Sequence, residues 1–289
     1  MSSRNTQPEP FAPSETSDAG QMTRAELAPR VRLMGLPIDS VTAAQAIAAI
    51  GRALKSGRGG WVITPNLDQL RQFHRDPSLR PMFETADLVV ADGTPLIWAS
   101  RLQGTPLPER VPGSDLISSL SSAAAGWASS IFLLGGNPGA AEGAAQTLRE
   151  RHRGLRIAGT LSPPPGFERS SEEMDRVRET LRRARPDIVF VGLGFPKQEK
   201  LIHQLRADNP ASWFLGIGIS LSFVAGEVGR APAWTHRIGL EWVHRLAQEP
   251  RRLFRRYLID GLPFAARLFR HVLGARIRPH SASGWPPPP

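Results

Sequence analysis

The feature that most constrains this chain is a repeated alternation. Short, continuous apolar runs are each followed by a stretch patterned as an amphipathic helix. The runs fall at residues 32–36, 61–64, 88–91, 131–134, 156–160, 188–192 and 213–217. The helical patterns fall at 43–56, 68–75, 77–86, 94–102, 114–126, 139–151, 171–184 and 198–205. Strand-then-helix alternation predicts an α/β fold with a largely parallel sheet. Runs that are apolar throughout, rather than at every second residue, predict a sheet covered on both faces. In such sheets ligands bind at the C-terminal ends of the strands, so the chemistry is to be sought there.

Four strand exits carry polar or glycine-rich sequence: Thr64-Pro65-Asn66, Asp92-Gly93, Leu133 to Gly139, and Gly192 to Glu199. All four are expected along one edge of the sheet. Asp92 directly follows the apolar run Leu88 to Ala91. A partly desolvated carboxylate there can act as a general base, and it can equally cap the next helix. The Gly135-Gly136 turn precedes a helix and can lay backbone N–H groups against a phosphate, although the full dinucleotide fingerprint is missing. Asn66 and Gln198 can hydrogen-bond a base or a sugar, or satisfy their own loops.

Charge narrows the partner. The chain of 289 residues has 36 basic and 26 acidic residues, a formal net charge of +10, and only three of the basic residues are lysines. Arginine-rich charge suits phosphates, because the guanidinium forks onto two oxygens. With no cysteine, disulfides, thiolate nucleophiles and cysteine-ligated metals are excluded. No D-x-D, P-loop or H-E-x-x-H motif occurs, so no metal or cofactor is expected. Without a metal, a leaving diphosphate must be neutralised by arginines or helix N-termini. No signal-peptide core is present, and no run approaches the ~20 apolar residues that span a bilayer.

Composition divides the chain into a Ser/Pro-rich leader at 1–28, a core at 29–238, a basic stretch at 239–278 and a Pro-rich tail at 279–289. Leader and tail are read as disordered. From Glu241 to Arg278 there are nine arginines and three acids, with aromatic and aliphatic residues interleaved at helical spacing. Such a stretch reads as a membrane-surface helix or as a packed helix pair with a solvated basic face. Charge alone also suggests nucleic acid, but no nucleic-acid-binding motif supports it, and none is expected as a partner.

The same strand exits resemble a family. T-P-N-L-D-Q-L at Thr64, A-D-L-V-V-A-D-G-T-P at Ala86, G-T-P-L-P-E-R-V-P-G-S-D-L at Gly104 and F-L-L-G-G-N-P-G at Phe132 are similar to the WecG/TagA/CpsF glycosyltransferases. So are P-D-I-V-F-V-G-L-G-F-P-K-Q-E-K at Pro186, A-G-E-V-G-R-A-P-A-W at Ala225 and G-L-E-W-V-H-R-L-A-Q-E-P-R-R at Gly239. The match runs over residues 31–270. It implies a Rossmann-like core with a C-terminal appendage that completes the active site and reaches the membrane. It further implies an inverting, metal-independent hexosyltransferase. A sugar of the N-acetylmannosamine type, its uronic acid or a hexose passes from a UDP-sugar to a polyprenyl-diphosphate-linked acceptor. Such enzymes serve cell-surface polysaccharide synthesis: teichoic acid, common antigen, capsule or exopolysaccharide. The expected location is cytoplasmic, at the inner face of the cell membrane, with anionic lipid as a partner. The family suggests a homo-oligomer, and no residue fixes its number.

Carried over by residue, the resemblance makes Asp92 the catalytic base. Thr64, Asn66, Arg110 and Gln198 become substrate-pocket residues, with Gly135 and Gly136 at the phosphate turn. Arg251, Arg252, Arg255 and Arg256 are the expected diphosphate or acceptor contacts. One departure stands out: Ser222 occupies a position where the family often has Asp, which bears on donor preference. The rival reading is a catalytically silent UDP-sugar-binding or polysaccharide-assembly module.

Overall fold

The computed structural model describes residues 29–229, 241–248 and 250–277. The expected leader and Pro-rich tail lie outside the described residues, and so does the Arg252 side chain.

Six of the seven apolar runs assemble into one sheet. They are β3 (Gly60–Ile63), β4 (Leu88–Val89), β5 (Ser130–Gly135), β6 (Arg156–Leu161), β7 (Ile188–Gly192) and β8 (Trp213–Gly216), in the spatial order β4-β3-β8-β7-β5-β6. Every neighbouring pair is parallel. All residues of β5, β7 and β8 are buried, as continuous apolar strands between two helical layers must be.

The first run departs from expectation. Instead of one strand over 32–36, the chain forms an antiparallel hairpin of β1 (Arg30–Leu33) and β2 (Leu36–Asp39). Met34 and Gly35 make the turn, with φ of 48° and 86°. Two successive left-handed residues match the twist of the flanking strands, and Gly35 makes the second one inexpensive. Asp39 then ties the hairpin to the sheet edge. Its carboxylate accepts from Arg30 Nε at 2.7 Å and from the backbone N–H of Val89 in β4 at 2.7 Å.

One apolar layer contains α1 (Ala43–Lys55), α5 (Gly113–Trp127), α6 (Ala140–Arg151) and α9 (Ser220–Val224). The other contains the hairpin, α2 (Leu67–Arg75), α3 (Arg80–Thr85), α4 (Thr94–Gln103), α7 (Ser171–Ala184) and α8 (Lys197–Leu205). The pattern at 77–86 is interrupted: Asp76 caps a 3-10 turn, Pro77–Leu79, before α3 begins. Strand β3 therefore leads into a helix on one face, and its neighbour β8 into a helix on the opposite face. Chain diverging in opposite senses from adjacent parallel strands opens a crevice at their exits.

The basic C-terminal stretch forms α10 (Glu241–Gln248), α11 (Pro250–Phe254), a π-helical segment Arg255–Gly261 and α12 (Leu262–Ile277). Helix α12 packs along α4. Phe264, Leu268 and Val272 are buried in the same apolar cluster as the hairpin and α2 to α4. Gly261 permits the widened turn: a β-carbon there would lie 2.9 Å from the Arg256 carbonyl oxygen. Asp68, in the first turn of α2, ion-pairs with Arg71 at 2.7 Å and with Arg256 Nε at 2.9 Å. Arg71 in turn reaches Asp260 at 3.7 Å. The appendage is thus pinned beside the exit of β3 by apolar burial first and by charge second.

Truncating Leu268 should leave a cavity at this joint. Leu268→Ala is expected to lower the unfolding free energy by about 2–5 kcal/mol in urea titrations. Leu262→Ala, at an exposed position of the same helix, should change it by less than about 0.5 kcal/mol.

Candidate active site

Along the C-terminal edge, the strand exits follow the sheet order. Asp92 follows β4, Thr64 to Asn66 follow β3, Ile217 and Gly218 follow β8, Gly192 to Gly194 end β7, and Gly135 and Gly136 end β5. The expectation that the polar exits share one edge is met.

The β4 and β3 exits are stitched together by backbone. The Asp92 N–H donates to the Pro65 carbonyl at 2.8 Å, and the Val111 N–H donates to the Ala91 carbonyl at 2.7 Å. The second bond lays the Arg110 segment beside Asp92. It also delivers the N-terminus of α5, because Gly113 follows two residues later. A β-carbon on Gly113 would lie 3.2 Å from Thr64 Oγ1. Thr64 is 6 % exposed, and among the described residues nothing hydrogen-bonds its hydroxyl. Pro112 precedes α5 and offers no side-chain cap. Helix α5 therefore begins beside Thr64, with the Asp115 N–H turned back onto the Pro112 carbonyl and the Asp115 carboxylate in the same turn. The N–H groups of a helix start can serve an anion. Asp92, Thr64 and the Arg110 segment are brought together by these contacts.

Asn66 lies in the same cluster but is partly committed. Its Oδ1 accepts from the N–H groups of Asp68 and Gln69 at 3.1 and 3.2 Å, and Gln69 returns a bond to its backbone. It is the N-cap of α2, with its NH2 group left over for a ligand.

Gln198 sits in the middle of the edge and is 2 % exposed. Its Oε1 accepts from the N–H of Gly194 at 3.1 Å and of Gly218 at 3.0 Å. Its Nε2 donates to Glu199 Oε1 at 2.9 Å. The amide is thus a clamp between the β7 and β8 exits. Gly216 makes room for it: a β-carbon there would lie 2.3 Å from Gln198 Nε2. Glu199 is wholly buried, and burial pushes its carboxyl up to about 7, against the opposing pull of the Gln198 amide and a backbone hydrogen bond. Its Oε2 has no partner. The sequence reading missed Glu199. The signal was present: Leu201, Ile202 and Leu205 mark the buried stripe of α8, and Gln198 and Glu199 extend it by one turn.

Gly135 ends β5 and Gly136 follows it, four strands from β4, which is ~19 Å at normal strand spacing. Both have left-handed φ, 95° and 82°. The Gly136 N–H donates to the Gly192 carbonyl at 2.8 Å. That N–H is therefore spent on joining the β5 and β7 exits. Ser222 is buried on α9. Of the appendage arginines, Arg251 and Arg255 are exposed, while Arg256 is held by Asp68 with its Nε–H misaligned for a hydrogen bond.

The pH dependence of Glu199 has a definite sign. Its folded-state value lies above the usual 4.5, so between about 4.5 and about 7 the folded chain holds a proton that the unfolded chain releases. This group's contribution to stability should fall as pH rises through that window and level off above it. Glu199→Gln removes the titration, so its stability relative to the natural chain should rise from pH 5 to pH 7.5 in denaturant melts.

The chain was compared with known proteins. The model of the Glycosyl transferase WecG/TagA/CpsF family matches residues 31–278. A protein of Bacillus spizizenii is 31 % identical over 199 residues, 69 % of this chain and 75 % of its own length. One from Bacillus subtilis is 32 % identical over 176 residues, covering 61 % and 66 %. One from Staphylococcus aureus strain MW2 is 28 % identical over 228 residues, covering 78 % and 87 %. All three are named N-acetylglucosaminyldiphosphoundecaprenol N-acetyl-beta-D-mannosaminyltransferase.

Proposed function

The chain belongs to the WecG/TagA/CpsF family of glycosyltransferases, and we propose that it transfers a sugar of the N-acetylmannosamine type from a UDP-sugar to a polyprenyl-diphosphate-linked sugar. The names of the relatives supply the acceptor class and the mannosamine donor type. The observation that carries the reading is the convergence of Asp92, Thr64 and the Arg110 segment at the β4 and β3 exits, beside an uncapped helix N-terminus.

The reaction is a single in-line displacement with inversion. The acceptor hydroxyl attacks the anomeric carbon while Asp92 takes its proton. The bond to the β-phosphate oxygen breaks, and UDP leaves with the bonding pair. The N–H groups at the start of α5, the Thr64 hydroxyl and Arg110 stabilise the charge growing on that oxygen, without a metal. Arg255 and Arg251 are free to meet the acceptor diphosphate, whereas Arg256 would first have to leave Asp68. The Gln198 clamp and the Gly135-Gly136 turn shape the wall along which the nucleotide lies.

The decisive assay measures UDP release from a panel of UDP-sugars. It uses a polyprenyl-diphosphate N-acetylglucosamine acceptor and EDTA. One donor should turn over, and Asp92→Asn should lower kcat by about 10²–10⁴-fold, the usual worth of a general base, with UDP affinity nearly unchanged. Equal turnover by the variant would remove Asp92 from the chemistry. Failure of the natural chain to bind UDP would remove the donor assignment.

The appendage holds the enzyme at an anionic bilayer. Among the described residues no helix is long and apolar enough to cross a membrane. Exposed Phe254, Ile259, Leu262 and Leu273 share the appendage with Arg251, Arg255, Arg267 and Arg270, and α4 adds exposed Trp98 and Leu102. Apolar side chains entering the headgroup layer, with each nearby arginine worth about 1 kcal/mol on anionic lipid, suffice for peripheral binding. The triple variant Phe254→Ser, Ile259→Ser, Leu262→Ser should stop co-flotation with phosphatidylglycerol vesicles while keeping the melting temperature. Unchanged flotation would locate the membrane contact elsewhere.

A further inference from the structure

The buried carboxyl of Glu199 takes no part in the transfer just described, yet it contacts a side chain that joins two strand exits. We infer that Glu199 is a positioning residue: it fixes the orientation of the Gln198 amide, and through that amide it locks the turns after β7 and β8 into one rigid wall of the nucleotide cleft. The inference rests on the UDP-sugar reading only for its effect on affinity.

Three observations carry it. First, the Gln198 amide has a single satisfying orientation. The N–H groups of Gly194 and Gly218 both point at one end of it, so that end must be the oxygen. The NH2 end then needs an acceptor, and Glu199 Oε1 supplies it at 2.9 Å. Without that acceptor a flipped amide would lose less, and the turns would lose their common partner. Second, the backbone makes space for this pair. A β-carbon on Gly216 of β8 would stand 2.3 Å from Gln198 Nε2 and 2.7 Å from Glu199 Oε1. Third, Glu199 is placed at a cost that packing alone does not require. It is fully buried and Oε2 is unpartnered. An apolar residue of the same size would avoid the desolvation penalty.

The surroundings favour the neutral carboxyl by burial rather than by charge. Strands β7 and β8, on which α8 packs, bring only apolar residues and glycine. Helix α3 brings Arg80 and Glu84, both exposed. Lys197, Lys200 and His203 belong to α8 itself, and none of these charges perturbs Glu199. Burial is the dominant influence, so below about pH 7 the group is mostly a carboxylic acid, and in either protonation state Oε1 can accept from Gln198.

The experiment uses the full chain with Glu199→Met and Glu199→Gln. It reads amide hydrogen exchange of the peptides containing Gly194 and Gly218, the Kd for UDP, and the melting temperature. Glu199→Met fills the space but accepts no hydrogen bond. It should keep or raise the melting temperature, speed exchange at both turns, and weaken UDP binding by roughly 3–10-fold, the worth of one net hydrogen bond. Glu199→Gln keeps an acceptor oxygen, and it should restore slow exchange and an affinity within about twofold of the natural chain. A purely structural glutamate predicts the reverse pairing: affinity and exchange would follow the melting temperature. Slow exchange in a folded Glu199→Met protein overturns the positioning role. Fast exchange with unchanged UDP affinity overturns its link to the cleft. If Glu199→Met does not fold, Glu199→Asp, which draws the oxygen back by one methylene, carries the same expectations. A natural chain that binds no UDP defeats the donor reading alone, because the exchange comparison still judges Glu199.

Discussion

Burial of both faces of a parallel sheet is the constraint on which the rest of this molecule depends. Strands such as Ile188 to Gly192 and Trp213 to Gly216 offer no polar side chain to either face. Water is excluded from both sides, so each crossover has to be a covering helix, and polar groups are confined to the two edges. At the edge where the strands begin, Asp87 and Asp187 bond neighbouring backbone and a serine hydroxyl, and so close the sheet. At the edge where the strands end, the chain carries glycines, Thr64, Asn66, Asp92 and Gln198 instead. The division of labour between structural and chemical polar groups follows from which end of the strands they occupy.

Within that edge, hydrogen bonds decide which exits cooperate. The carbonyls of Pro65 and Ala91 take N–H groups from Asp92 and Val111, so one backbone stitch fixes Asp92, the Arg110 segment and the start of α5 together. The Gln198 amide performs the same service for the β7 and β8 exits, and the Gly136 N–H for β5 and β7. Side chains that resembled ligand contacts in the sequence prove to hold scaffolding bonds as well: Asn66 caps α2, and Gln198 clamps two turns. These roles are compatible with substrate contact only through the groups left over, the Asn66 NH2 and the Thr64 hydroxyl among them.

The appendage shows the two demands on a basic amphipathic segment being met by opposite faces. Phe264, Leu268 and Val272 go into the core cluster, while Ile259, Leu262 and Leu273 stay exposed among arginines. The packed-helix reading of the basic stretch is met, and the residues it leaves outside are apolar side chains among arginines. The Asp68 pairs to Arg71 and Arg256 join it to the helix that starts at the β3 exit.

The sequence by itself determined the α/β class, the six sheet strands, the helices between them and the edge where the polar strand exits gather. Those follow from hydrophobic periodicity and strand length, which are local properties of the chain. It also singled out Asp92, Thr64, Asn66, Arg110 and Gln198 as the polar residues of that edge. It misread 32–36 as one strand, because the turn at Met34-Gly35 lacks the usual Asn-Gly or Asp-Gly signal and is set by the sheet edge the hairpin covers. Only the tertiary structure decided the strand order, and with it that β3 and β4 adjoin while β5 stands four strands away. Only it could show that Glu199 is buried against Gln198 and that Arg256 is paired while Arg255 is exposed. Strand order, burial and pairing are set by contacts between residues far apart in sequence, and no local pattern encodes which distant partner a side chain will meet.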